Sequence, residues 1–447
     1  MPRLRSLGLM TAVVPRHSVV RRIGRIQRLS SNLVSVVGLS DTASVGHRVR
    51  FADQQVTGEV VTISEDCVNV LVDGSMAGLK IGQPVQHVGE FGLCPDNSWL
   101  GRVIDGEGNP LDGQPLINGG TMVGLHSPPP PAAKRRGLGA RLDTGHMLFN
   151  TILPVVRGQR FGLFSGSGVG KSSLMAALAQ DMEADVIVIG LIGERGREVN
   201  QFVNNVLGKK GLRRSVVVAS TSDQSALARR RAAFSAMAVA EHFRNLGQSV
   251  LLLVDSITRL GEAHREIASA AGEPASMRGF PPSMASLLAG FSERAGPGTE
   301  GQGDITAVFT VLVSGSDMEE PVADTLRGLL DGHFVLSRSI AERGRFPAVD
   351  VLQSVSRSLP EAASDEENRL IAQARRLFSV YEDSEIMVRS GLYQPGSNPE
   401  LDLAVKLQPG LDAFAADRSD QGFQHAFACL EKCLSVGDVD DGQNSGG

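Results

Sequence analysis

The run Leu163-Phe164-Ser165-Gly166-Ser167-Gly168-Val169-Gly170-Lys171-Ser172-Ser173 constrains this chain more than any other. It places a glycine-rich turn, a lysine and a hydroxyl at the spacing that cradles a nucleoside triphosphate. Backbone N–H groups turn inward around the phosphates, Lys171 neutralises the outer oxygens, and the Ser172 hydroxyl coordinates Mg²⁺. The flanks suit a strand–loop–helix unit. Residues 158–164 read as a strand, and 173–182 as a helix with Leu174, Met175 and Leu178 on one face, whose N-terminal dipole adds to the anion site. The nucleotide-holding set is therefore Ser165, Gly166, Ser167, Gly168, Val169, Gly170, Lys171, Ser172 and Ser173. Ser165 stands where the G-x-x-x-x-G-K-[ST] pattern begins with glycine. A dinucleotide-binding turn over Gly166, Gly168 and Gly170 fits less well, because a Lys-Ser pair directly after the last glycine belongs to triphosphate sites.

At 447 residues the chain has room for two or three domains with substantial cores. A net charge of −5 gives no overall electrostatic case for a nucleic-acid binder, and two Tyr and one Trp offer few platforms for stacked bases. Charge is uneven, however. The first forty residues carry Arg3, Arg5, Arg16, Arg21, Arg22, Arg25 and Arg28 and no acid, which fits a cleaved presequence, a basic arm for acidic lipid or protein, or a solvated terminus; the arm is preferred. No run of eighteen apolar residues is present to span a membrane. Four cysteines are too scattered for a disulfide framework and suggest a reducing compartment, and Cys429 and Cys433, four apart on an apparent helix, read as free thiols.

Five segments emerge along the chain. After the basic arm of residues 1–18, residues 19–95 alternate in period two with frequent turns, as in Leu33-Val34-Ser35-Val36-Val37, and predict a small β-barrel. A turn-rich stretch and a proline-rich connector lead into a third segment, 96–357, the P-loop ATPase domain. There the apolar strands 185–191, 215–219, 250–254, 305–313 and 334–336 alternate with helices, notably 224–245. Unbroken apolar strands imply a mostly parallel sheet covered on both faces, with ligands at the strands' carboxyl ends. Residues 358–435 are helical, beginning with a helix over 361–381, and 436–447 form a Gly- and Asp-rich disordered tail. The fold class is thus α/β: an N-terminal barrel, a central P-loop (RecA-like) sheet with flanking helices, and a C-terminal helical domain.

Hydrolysis needs more than a phosphate cradle; something must hold the metal, orient a water and offset developing charge. The strand Leu251-Leu252-Leu253-Val254 ends in Asp255, a Walker B arrangement that holds Mg²⁺ through water. Another strand ends in Gly193-Glu194-Arg195-Gly196-Arg197-Glu198, and places Glu194 where a carboxylate can orient the attacking water. Read by themselves, Phe346 is a core aromatic and Arg357 pairs with a local carboxylate.

These segments, together with Leu252 to Arg259 and the run Pro347-Ala348-Val349-Asp350-Val351-Leu352-Gln353-Ser354-Val355-Ser356-Arg357, resemble the rotary ATPase family over residues 20–435. Within it the loop resembles the ATPases of bacterial type III export. Asp331-Gly332-His333-Phe334-Val335-Leu336-Ser337-Arg338 and the stretch Gly391 to Asp402 look most like the flagellum-specific branch. The resemblance implies Mg-dependent hydrolysis of ATP by a homohexamer that energises flagellar protein export. An injectisome ATPase is the alternative, and an F1 catalytic subunit a more distant one. Glu194 then matches the catalytic glutamate. Lys171, Arg195 and Arg259 lie beside the outer phosphate, Phe346 stacks on adenine, and Arg357 is the finger that a neighbouring subunit inserts. Glu194 also argues against a non-catalytic ring subunit, which lacks such a carboxylate. Expected cofactors are ATP as substrate with Mg²⁺ alone. Expected partners are further copies of the chain, stalk and regulator subunits, export chaperones and secreted substrates, with peripheral membrane association through the basic terminus and no nucleic acid. The expected location is cytoplasmic, beside the inner-membrane export apparatus. One departure from the family is the segment Thr144-Gly145-His146-Met147-Leu148-Phe149-Asn150, less basic and more apolar than the family pattern, which bears on subunit packing.

Overall fold

The computed structural model describes residues 22–52, 56–313, 318–419 and 421–435; the predicted basic arm and C-terminal tail lie outside the described residues. The alternating N-terminal text closes into a barrel of strands β1 (Ile23–Ser30), β2 (Leu33–Val37), β3 (Arg48–Phe51), β4 (Thr57–Ile63), β5 (Val68–Asp73) and β6 (Pro84–Gly89). Their order is β1-β2-β5-β4-β3-β6, every pair antiparallel, so closure removes the open edges. Every second residue points inward, which is why Val34 and Val36 on β2 are buried while their neighbours are not, and why Val68, Val70 and Val72 on β5 join the same core; Leu71, on the outer face, is buried instead against Leu227 and Ile267. Gly58 allows a close approach inside the barrel: a β-carbon there would lie 2.5 Å from Val70 Cγ1.

Beyond the barrel, β7 (Gly92–Leu93) pairs with β9 (Val123–Gly124), and β8 (Val103–Ile104) emerges from the turn-rich stretch to join the main sheet. That sheet has nine strands among the described residues. The others are β10 (Arg160–Ser165), β11 (Val186–Glu194), β12 (Ser215–Thr221), β13 (Val250–Asp255), β14 (Gly296–Pro297), β15 (Asp304–Leu312), β16 (Gly332–Leu336) and β17 (Val349–Ser356). The order β17-β16-β10-β15-β13-β11-β12-β8 is parallel except for β17 on β16, with β14 antiparallel against β15. The central strands carry mostly Val, Ile, Leu and Phe because both faces are covered. Helices Ala226–Asn245, Ile257–Ala270 and Ser283–Arg294 cover one face; helix Lys171–Asp181 and the C-terminal helices cover the other.

The C-terminal helices are Asp365–Arg389, Pro399–Ala416 and Gly422–Ser435. The first starts at a capping box in which Ser364 accepts from the Glu367 N–H and Glu367 accepts from the Ser364 N–H, four residues later than the composition alone suggests. The atypical segment around His146 is buried between these helices and the sheet. Asn150 Oδ1 accepts from Thr144 N at 2.9 Å and Thr144 Oγ1 at 2.8 Å, and Asn150 Nδ2 donates to Asp143 at 2.8 Å. Barrel and sheet are joined at the start of helix Ala226–Asn245. Arg230 pairs with Glu59 on β4, Arg231 pairs with Asp73 on β5 and with Glu107, and the Ser225 hydroxyl donates to Asp73.

Candidate active site

Parallel order places the last residues of β10, β13 and β11, namely Ser165, Asp255 and Glu194, at one edge of the sheet. From Ser165 the chain turns through Gly166-Ser167-Gly168-Val169-Gly170 into helix Lys171–Asp181. Gly168 and Gly170 have φ of 80° and 89°, the left-handed region in which glycine carries no side-chain penalty. Val169 is buried and anchors the loop, whereas Ser167, Ser172 and Ser173 are open to solvent above the helix N-terminus. Ser165, in the usual glycine position, is itself buried, and its hydroxyl has no partner.

The lysine and the Walker B carboxylate meet. Lys171 Nζ donates to Asp255 Oδ1 at 2.5 Å, and Thr310 Oγ1 from β15 donates to the same oxygen at 2.6 Å. Ser256 caps the following helix by accepting from Arg259 N, which fixes where Arg259 leaves the backbone. Arg259 pairs with Glu262 at 2.7 Å. Gly193, with φ of 69°, bends β11 just before Glu194; a β-carbon there would lie 3.3 Å from Arg259 Cβ and Cγ and 3.5 Å from Arg229 Cδ. Glu194 is therefore held on a turn wedged between two arginine stems. Burial first, then the charge of Asp255, raises its carboxyl to about 7; Lys171 opposes the rise, and the hydrogen bond and charge of Glu198 add to it. A group poised near neutrality suits proton transfer.

The other predicted residues occupy distinct places. Arg195 is 76% exposed at the mouth and leans 3.5 Å from Glu198. Phe346 is 52% exposed, so it is no core aromatic, and its ring lies over the phosphate loop, 3.2 Å from where a β-carbon on Gly170 would be. Arg357 is exposed, donates through its backbone N–H to Asp331 O and through Nη2 to Arg327 O, both at 3.0 Å, and stands away from this cluster. It follows Ser356, which pairs with Gly332 at the start of β16, while Leu336 at the end of β16 pairs with Ser165. Four strand residues, roughly 13 Å, thus separate this arginine from its own phosphate loop. Sequence reasoning missed Thr310 and Glu198. The first is a hydroxyl inside an apolar strand, and the second sits one helical turn after the glutamate it perturbs.

The donors available to a metal are the Ser172 hydroxyl and the Asp255 carboxylate, hard oxygens of the kind Mg²⁺ prefers. Among the described residues no group of three or more His, Cys, Asp or Glu could form a protein cage.

Residues 145–356 match the model of the ATP synthase alpha/beta family, nucleotide-binding domain, and residues 363–429 match the T3SS EscN ATPase C-terminal domain. The chain is 43% identical over 422 residues to the Flagellum-specific ATP synthase of Caulobacter vibrioides, across 92% of this chain and 95% of that one. It is 41% identical over 409 residues to the Type 3 secretion system ATPase of Pseudomonas syringae pv. syringae, across 89% and 90%. Its fold is similar to that of the assembled ATPase EscN in complex with its central stalk EscO from the enteropathogenic E. coli type III secretion system. That match has a TM-score of 0.84 and 36% identity, and covers 92% of this chain and all of the other.

Proposed function

This chain belongs to the ATP synthase alpha/beta family, in its flagellar and type III secretion branch, and from that membership we propose that it energises flagellar protein export as a homohexameric ring. It is an ATPase. On this reading the work done is release and unfolding of export substrates from chaperones at the export gate, and the ring meets a stalk subunit as EscN meets EscO. On the same reading the ring works in the cytoplasm, at the periphery of the inner-membrane apparatus; no helix among the described residues is long and apolar enough to cross a membrane.

The geometry supports the following division of labour. The loop N–H groups from Gly166 to Gly170 and the helix N-terminus take the phosphates, and Lys171 exchanges Asp255 for the outer phosphate oxygens. Mg²⁺, held by Ser172 and through water by Asp255, would neutralise charge on the bridging and outer oxygens. Glu194 orients the attacking water and accepts its proton, which a carboxyl raised to about 7 can do near neutral pH. Arg259 and Arg195 flank the departing phosphate. Phe346, exposed and lying on Gly170, offers a flat face to the adenine.

The observation that carries the ring is the place of Arg357, at the opposite end of its strands from its own phosphate loop. That place supports the reading in which the cation serves a neighbour's site. A finger supplied in trans changes rate by roughly 10³ to 10⁵, so turnover should rise steeply with protein concentration as subunits assemble. The decisive test is Glu194→Gln, which should bind ATP normally and lose turnover; hydrolysis at the parent rate would remove Glu194 from the mechanism. An injectisome role is separated by deletion of the gene: loss of motility with intact effector secretion supports the flagellar reading, and the reverse overturns it.

A further inference from the structure

β15 runs between the strand that delivers the phosphate loop and the strand that delivers Asp255. Its register sets Thr310 beside Leu163 on one side, and one residue past Phe309, which pairs with Val254, on the other. Thr310 is fully buried between Phe309 and Val311, both equally buried. A hydroxyl at such a place is costly unless bonded. Its bond goes to Asp255 Oδ1 at 2.6 Å, the oxygen that also receives Lys171. The same strand is tied at its end to both sides of the site, since Val313 N donates to Ser165 O at 3.0 Å and Leu312 N donates to Thr258 Oγ1 at 2.9 Å.

Two donors on one oxygen have different fates. Lys171 is a flexible point charge whose place with nucleotide bound is on the outer phosphate. Thr310 is fixed by a strand that cannot move without breaking the sheet, and it carries no charge to compete with a cation. We propose that Thr310 is a positioning residue for Mg²⁺ binding, holding Asp255 by Oδ1 after Lys171 leaves so that the other carboxylate oxygen faces the metal-bound water. This rests on the reading of Asp255 as the residue that holds the metal.

The test uses the full chain and two measurements: equilibrium binding of a fluorescent N-methylanthraniloyl ATP in the presence and absence of Mg²⁺, and hydrolysis against free Mg²⁺ at saturating ATP. Thr310→Val and Thr310→Ala should each raise the half-saturating Mg²⁺ by about tenfold, the low end for losing a hydrogen bond to a charged group. Metal-free nucleotide affinity should stay within about twofold, because the phosphate loop is untouched. Thr310→Ser, which keeps the hydroxyl, should restore the parent Mg²⁺ dependence. Should the valine variant fail to fold by circular dichroism, the alanine and serine variants carry the comparison. Unchanged Mg²⁺ dependence in a folded Thr310→Ala, with a large shift in Asp255→Asn, would overturn the role of Thr310 and leave Asp255 in place. No shift in Asp255→Asn would overturn the metal-holding reading itself.

Discussion

Arg231 Nη1 donates to Asp73 Oδ2 at 2.8 Å, a bond between the central helix Ala226–Asn245 and the last residue of barrel strand β5 across 158 positions of chain. The guanidinium is 4% exposed and also reaches Glu107 at 2.8 Å, which in turn takes Arg48 at 2.7 Å. Removing one member of a buried network leaves charge unpaired, whereas removing an exposed ion pair costs little. Arg231→Gln should therefore lose about 3 kcal/mol of stability. Arg376→Gln, which breaks a pair whose arginine is 72% exposed, should leave the denaturation midpoint where the parent has it. Urea midpoints followed by barrel and sheet probes would check this, and equal midpoints for the two variants would show that the joint carries no load.

The carboxyl of Glu194 should govern the acid limb of kcat/KM. Burial and the charge of Asp255 raise that carboxyl to about 7, Lys171 opposes the rise and Glu198 adds to it. With Glu194 as the proposed base, activity needs the ionised form and should rise with pH through the neutral range. Glu198→Gln removes a charge that raises Glu194 and offers an amide that can donate to the ionised carboxylate, and should move the limb to lower pH. The stability term has the opposite trend: a carboxyl raised on folding contributes fully below its unfolded value of 4.5 and loses that contribution as pH climbs through about 7. An acid limb in the same place for the parent and Glu198→Gln would contradict the coupling.

Much of this was legible in the chain, and the failures have physical causes. The phosphate loop, Asp255 and Glu194 could be read because each ends an unbroken apolar strand, and the barrel could be read because its period is two. Strand β17 was hidden, since Asp350, Ser354 and Ser356 are buried within it and interrupt the apolar pattern; they are satisfied by bonds such as Ser356 Oγ to Pro154 O that span 202 residues. The first C-terminal helix was expected over 361–381 and runs Asp365–Arg389, because the capping box at Ser364 sets its start and the charged turn Glu382-Asp383 does not end it. Thr310 was invisible for a different reason. One threonine in an apolar strand gives no sign of what lies on the adjacent strand, and the partner sits 55 residues away.

His146 offers a second pH test, on stability. The residue is 5% exposed, both ring nitrogens are buried without partners, and burial first, then Arg418, lowers its pKa to about 4 against the pull of Asp181. An imidazole kept neutral on folding contributes stability that is complete above the unfolded value of 6.5 and is lost as pH falls toward 4. The full effect is about 3 kcal/mol. His146→Leu should keep the apolar packing against Phe149 and flatten the decline of the denaturation midpoint between these limits. A parent and variant that fall in parallel would assign the acid sensitivity to other groups.

The proposed composite pocket permits a sharper experiment than loss of function. Lys171→Ala destroys the phosphate site and leaves Arg357 intact; Arg357→Ala does the converse. If the finger serves a neighbour, each pure assembly is inactive. A mixed ring, however, contains junctions where the intact loop of an Arg357→Ala subunit faces the intact finger of a Lys171→Ala subunit. In a random equal mixture roughly a quarter of junctions are of this kind, so activity should reappear on mixing and peak near equal proportions. The double variant Lys171→Ala, Arg357→Ala can supply neither half, and mixing it with either single variant should restore nothing. A finger working within its own chain predicts no recovery in any mixture. The roughly 13 Å of strand between Arg357 and its own loop, from the pairing of Ser356 with Gly332 and of Ser165 with Leu336, argues for recovery.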